Sequence, residues 1–191
     1  MAFDIVAIAA SAGGLPAISQ ILADLPADFP CAIAIVQHLD PTHPSKIVDI
    51  LQRCTSLTVK LAETGDVLSS RTVYVAPPDY HLLVNPDQTL LLTHSSRVHF
   101  VRPSADVLFE SVAAVYQERA ISVVLSGAGS DGSMGVQAIK TLGGTVIAQD
   151  QTTSEFFGMP EAAIDTGCVD FVLPVSEISL KLIGLVGVTP E

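Results

Sequence analysis

Ile5-Val6-Ala7-Ile8-Ala9-Ala10-Ser11-Ala12-Gly13-Gly14 is the stretch on which the fold turns. An apolar run stops at a serine, two glycines follow, and Leu15-Pro16-Ala17-Ile18 opens a helix-like pattern. The stretch reads as strand, tight turn and helix. A short, continuous apolar run is what a strand buried on both faces of a parallel sheet requires. In such a sheet Ser11 stands at the carboxyl end of a strand, where ligands bind. The helix that follows points free N–H groups at whatever Ser11 touches. Taken alone, the serine is a nucleophile, a helix cap or a phosphate contact.

The same alternation continues along the chain. Strands are expected at Asp4–Ala9, Cys31–Gln37, Leu57–Leu61, Val73–Ala76, Ile121–Leu125, Thr145–Ala148 and Val169–Leu173. Helices are expected at Leu15–Asp24, Pro44–Cys54, Ala105–Glu118, Ser133–Leu142, Pro160–Thr166 and Glu177–Gly184. Before Ala105, Ser104 reads as a cap and Asp106 falls in the first turn. Leu108, Val112 and Val115 then form one apolar stripe. His81-Leu82-Leu83-Val84, the polar turn Asn85-Pro86-Asp87-Gln88 and Thr89-Leu90-Leu91-Leu92 read as a hairpin. The expected fold is α/β, a doubly wound, mostly parallel sheet in three αβα layers with one antiparallel hairpin excursion.

Length and composition bound the function. A chain of 191 residues, 49% of them hydrophobic, fits a single globular domain over residues 1–191. No apolar run approaches the ~20 residues of a membrane helix, and no signal peptide is evident. Direct membrane insertion is therefore not expected. A formal net charge of −11 argues against nucleic acid and anionic membrane surfaces as partners. Cys31, Cys54 and Cys168 lack metal-like spacing, and reduced thiols in a cytoplasmic protein account for them.

Three residues recur at the ends of expected strands: Ser11, His38 in Gln37-His38-Leu39, and Asp131 in Ser126-Gly127-Ala128-Gly129-Ser130-Asp131-Gly132. The carboxyl ends of one parallel sheet share an edge, so the three side chains can converge. A serine needs a base within reach to become nucleophilic. A histidine titrates in the right range, and a carboxylate fixes its tautomer and stabilises its charged form. Each also has a local reading: Ser11 as a helix cap, His38 as a strand-end histidine on a carbonyl, Asp131 as the cap of the helix at Ser133. His81 could line the same edge, whereas His94 and His99 look like exposed loop residues. His38, Asp40 and His43 are poorly spaced for a metal, so neither a metal nor a cofactor is expected. Nucleotide binding at the glycine turn is the competing reading, but G-x-G-x-x-G and G-x-x-x-x-G-K-[ST] are both absent. A non-catalytic receptor-binding module is a third possibility on topology alone.

Several motifs in order resemble the catalytic domain of chemotaxis protein-glutamate methylesterases. They are Ala10-Ser11-Ala12-Gly13-Gly14, Gln37-His38, Val73-Tyr74-Val75-Ala76-Pro77 with His81, Arg102-Pro103-Ser104-Ala105-Asp106-Val107-Leu108-Phe109, Leu125 to Gly132, Ala148-Gln149-Asp150, and Gly158-Met159-Pro160. The resemblance implies a serine hydrolase that cleaves glutamate γ-methyl esters on chemoreceptors and releases methanol. It places nucleophile, base and orienting acid on Ser11, His38 and Asp131, and the oxyanion donors on the backbone N–H groups of Ala12 and Ala128. The methylated receptor is the implied partner, and glutamine deamidation is a second activity to consider. The chain departs from the family pattern at Ala9, Ala12, Ala128 and Leu39, where glycine, threonine, methionine and methionine are usual. Relatives usually carry an amino-terminal receiver domain. None is expected ahead of a first strand at Asp4, so regulation would come in trans or from a longer parent chain.

Overall fold

Strand β1, Ile5–Ala10, is buried along its whole length, and so is β2, Ala32–Gln37. The computed structural model describes residues 3–38 and 45–187. Between β1 and β2 lies α1, Gly14–Asp24, and after β2 come α2, Ile47–Gln52, β3, Thr58–Leu61, and β4, Thr72–Val75. The hairpin is β5, His81–Val84, and β6, Leu90–Thr93. The second half runs α3, Ala105–Tyr116; β7, Ala120–Val124; α4, Ser133–Thr141; β8, Thr145–Gln149; α5, Gly158–Asp165; β9, Phe171–Leu173; and α6, Val175–Val186.

The seven-stranded sheet has the order β3-β4-β2-β1-β7-β8-β9, with every pairing parallel. The chain winds one way from β1 through β2 to β3 and the other way from β7 to β9. Ser11 follows the central strand at this switch point, where the flanking loops part and leave a crevice. The hairpin pairs antiparallel, His81 opposite Thr93, as a separate two-stranded sheet.

Alternation of side chains across β1 divides the core. Ile5, Ala7 and Ala9 face a cluster with Leu108, Phe109 and Val112 of α3, Val136 of α4 and Leu82 of the hairpin. Val6, Ile8 and Ala10 face Ile18, Ile21 and Leu22 of α1 and Leu182 of α6. The expected three layers are present. Helix α3 ends at Tyr116 rather than Glu118, because Gln117 leaves the helical region with a positive φ of 51° and a 3₁₀ turn, Gln117–Arg119, follows. The helix expected from Pro44 is described from Ile47, and Pro44 itself lies outside the described residues.

Candidate active site

Register brings the first two site residues together. Ala10 pairs with Gln37, so the next residues, Ser11 and His38, stand side by side at about the 4.8 Å strand spacing. The N–H of His38 donates to the carbonyl of Ala10 at 3.0 Å, and that of Ser11 to the carbonyl of Ser126 at 3.0 Å. The Gln37 amide ties the two strand ends further, donating to the carbonyls of Ser11 at 2.8 Å and His38 at 3.1 Å. On the other side Ser126 Oγ donates to the Ala12 carbonyl at 2.9 Å and accepts the Phe156 N–H at 3.0 Å. The turn is therefore braced from both neighbouring strands.

Ser11 is not a helix cap. Gly13, left-handed at φ 70°, occupies the N-cap position of α1, and no side chain caps this helix. The Ser11 hydroxyl is half-buried and makes no hydrogen bond among the described residues. Nor do the N–H groups of Ala12 and Ala128 find an internal acceptor among the described residues. Two unspent donors beside a free hydroxyl are what a developing oxyanion requires.

Asp131 is the most heavily engaged group of the site. Its Oδ2 accepts from His38 Nε2 at 2.8 Å and from the Ala105 N–H at 2.6 Å. Its Oδ1 accepts from Ser104 Oγ at 2.6 Å and from the Asp106 N–H at 3.2 Å. Burial opposes its charge; the bonds from His38, Ser104 and Ala105 outweigh this and hold its carboxyl below the usual range. A carboxylate on Nε2 makes this nitrogen the donor in the neutral ring, so Nδ1 is the basic position.

Two capping expectations are corrected. Asp131 does not cap α4, the helix that follows it; it caps α3. Gly132, at φ 98°, takes the N-cap position of α4 and turns Asp131 away. The α4 amides are served by Asp106 of α3, whose Oδ1 accepts the Gly135 N–H at 2.7 Å. Each helix is capped by an aspartate from the other's start. Ser104 holds the N-cap position of α3, yet its hydroxyl goes to Asp131 rather than to the helix amides.

Of the remaining candidates, His81 is fully buried, its Nδ1 3.1 Å from the Ser104 backbone N. His94 and His99 are exposed as expected, but His94 Nε2 lies 2.8 Å from Asp79 Oδ2 and His99 Nε2 lies 3.4 Å from Asp106 Oδ2. Asp40, His43 and Leu39 lie outside the described residues. Among the described residues no group of three His, Cys, Asp or Glu is placed to hold a metal ion. Cys31, just before β2, is buried, and burial pushes its thiol up to about 12, so it is no nucleophile. Glu155 packs over Gly13: a Cβ there would fall 2.7 Å from Glu155 Cβ and 2.9 Å from its Oε2. A carboxylate over the glycine turn disfavours the phosphate that a nucleotide reading needs there. Gln37, Ser126 and Asp106 stood in quoted motifs, but their bracing roles carry no local sequence signal.

The family model for CheB methylesterase matches residues 6–182. A putative protein-glutamate methylesterase/protein-glutamine glutaminase of Leptospira interrogans is 41% identical over 185 residues, 97% of this chain and 96% of that protein. The protein-glutamate methylesterase/protein-glutamine glutaminase of Thermotoga maritima is 40% identical over 95% of this chain, and that of Pyrococcus horikoshii 42% over 91%. The chain spans only 54% and 48% of those two proteins. The crystal structure of the Thermotoga maritima CheB methylesterase catalytic domain superposes with a TM-score of 0.92 at 38% identity, covering 97% of this chain and 100% of that one. With the sheet order, the shared strand edge and nearly the full length of the chain accounted for, the chain belongs to the CheB methylesterase family.

Proposed function

We propose that this chain hydrolyses the γ-methyl esters of glutamate side chains on methylated chemoreceptors, with Ser11 as nucleophile, His38 as base and Asp131 as orienting acid. The observation that carries this reading is the 2.8 Å bond from His38 Nε2 to Asp131 beside the unbonded Ser11 hydroxyl. In the reaction His38 Nδ1 takes the Ser11 proton as Oγ bonds to the ester carbonyl carbon. The oxyanion is held by the N–H groups of Ala12 and Ala128, each donor being worth about 10²–10³ in rate. His38 then gives its proton to the methoxide oxygen, methanol leaves, and an acyl-Ser11 ester remains. Water, deprotonated by His38, adds to this ester and releases the glutamate carboxylate and Ser11. Glutamine enters the same cycle with ammonia as leaving group, in keeping with the glutaminase in the relatives' names.

Residues 1–191 act as one catalytic unit in the cytoplasm, where thiols stay reduced. Among the described residues no helix is long and apolar enough to cross a membrane. Relatives about twice as long leave room for a regulatory receiver domain, supplied in a longer parent chain or in trans. The test is methanol release from receptor carrying labelled methyl esters. The wild-type chain releases it, and Ser11→Ala lowers the rate at least roughly a thousandfold. Unchanged release by Ser11→Ala would overturn the assignment.

A further inference from the structure

His81 has no part in the chemistry above, yet it is fully buried with both ring nitrogens engaged. Its Nδ1 lies 3.1 Å from the backbone N of Ser104, and its Nε2 lies 3.1 Å from the carbonyl O of Ser96. A backbone N–H can only donate, so Nδ1 accepts and Nε2 carries the proton. The ring is thus a fixed strut, with β5 and the 96 carbonyl at one side and the start of α3 at the other. The Ser96 end is itself anchored. Arg102 donates to the Ser95 carbonyl at 2.7 Å and grips Asp79 with Nε at 3.0 Å and Nη2 at 2.6 Å. At the far end Ser104 turns its hydroxyl onto Asp131 Oδ1 at 2.6 Å, and Asp131 holds His38.

The structure assigns His81 as a positioning residue that acts through Ser104 to fix the direction and basicity of the Asp131 carboxylate. This rests on the catalytic reading of Asp131 given above. A hydrogen bond from Ser104 draws charge from Oδ1. Without it, or with Ser104 shifted after its N–H loses His81, the carboxylate acts more strongly on His38. The imidazole then keeps its proton to higher pH. The charged groups around the strut, His99 and Asp106 on the α3 side and Asp79, Arg102 and His94 on the loop side, are unaltered by the test variants.

The test pairs disruptive and conservative changes. His81→Leu removes both bonds, whereas His81→Asn keeps an acceptor at the Nδ1 position. Ser104→Ala removes the hydroxyl and Ser104→Thr keeps it. Methanol release measured against pH and substrate concentration, and the His38 ring-proton NMR titration, are the two readouts. His81→Leu and Ser104→Ala are expected to lower kcat about 10- to 100-fold, with KM within about twofold. Both shift the acid limb of kcat/KM and the His38 titration to higher pH. His81→Asn and Ser104→Thr recover most of the rate and restore the limb. If His81→Leu fails to fold, His81→Gln, whose longer side chain takes its acceptor off the Nδ1 position, replaces it, and the Ser104 pair still tests the link to Asp131. Should Ser104→Ala leave the His38 titration where it is in wild type, the assignment is wrong, whatever the rate does. The titration needs no turnover. A chain that releases no methanol therefore defeats the functional proposal without masking this result.

Discussion

Replacing Asp131 by asparagine tests the site where its electrostatics and its architecture meet. The carboxylate accepts four hydrogen bonds, two on each oxygen. Asparagine offers one oxygen. Placed at the Oδ2 position, this oxygen keeps the bonds from His38 and Ala105. The NH₂ then occupies the Oδ1 position, where Ser104 Oγ can rotate to accept but the Asp106 N–H faces another donor. One buried amide is orphaned, at about 1–3 kcal/mol, and the remaining bonds lose their charge assistance. Roughly 2–4 kcal/mol of stability is lost at neutral pH. The reverse placement is worse: an NH₂ against His38 Nε2 forces the proton onto Nδ1 and removes the base outright.

Even in the better placement a neutral amide cannot stabilise the imidazolium that the proposed mechanism forms as Ser11 attacks. Amide-for-carboxylate exchange in such triads costs about 10⁴ in rate, which is ~5 kcal/mol of barrier. Asp131→Asn should therefore lower kcat for methanol release by roughly 10³–10⁴ with KM little changed. The stability difference carries its own pH signature. The folded carboxyl lies below its ordinary range, because bonds from His38, Ser104 and Ala105 outweigh burial. Its contribution is complete above the unfolded value near ~3.9 and is lost as pH falls through the folded one. Urea unfolding at a series of pH values should show the wild-type advantage shrinking below pH ~4. A gap that stays constant from neutral to acid pH, or an Asp131→Asn enzyme of wild-type rate, refutes the reasoning.

Asp106 is the mirror case: burial pushes its carboxyl up, and Asp131 nearby adds to this. Its unfolded form ionises first, so wild type loses stability as pH rises from about 4 through the raised folded value. Asp106→Asn keeps an acceptor for Gly135 and lacks this loss, so its unfolding midpoint should gain on wild type as pH rises above about 4; a gain in the opposite sense rules the account out. Gly127→Ala would set a methyl 2.3 Å from Met159 Sδ and 2.9 Å from Ser11 Cβ. Overpacking of this kind costs about 1–3 kcal/mol, and displacing Ser11 lowers kcat at least roughly tenfold. The double variant with Met159→Ala should recover stability before activity, and a fully active single variant would contradict the packing.

What the sequence made legible was whatever depends on neighbours in the chain or on sheet topology. The run Ile5–Ala10 is continuous because β1 lies between two strands and two helix layers, and burial on both faces leaves no polar position. Ser11, His38 and Asp131 could be grouped before any coordinate because a doubly wound sheet gathers its strand ends at one edge. What stayed hidden were the long-range partners. Capping is read locally, which points Asp131 at α4 and Ser104 at α3, whereas the bonds run from Ala105 to Asp131 across 26 residues and from Gly135 to Asp106 across 29. No periodicity encodes such an exchange. Nothing in the strand of His81 shows that the hairpin packs on α3 and encloses the ring. The exchange also has a mechanical consequence. Asp131 cannot turn away from His38 without uncapping α3, and α3 cannot slide along α4 without Asp106 releasing Gly135. The Asp131 carboxylate is therefore held by the packing of two helices rather than by a loop, which keeps the imidazole of His38 fixed even while the Ser11 hydroxyl stands free.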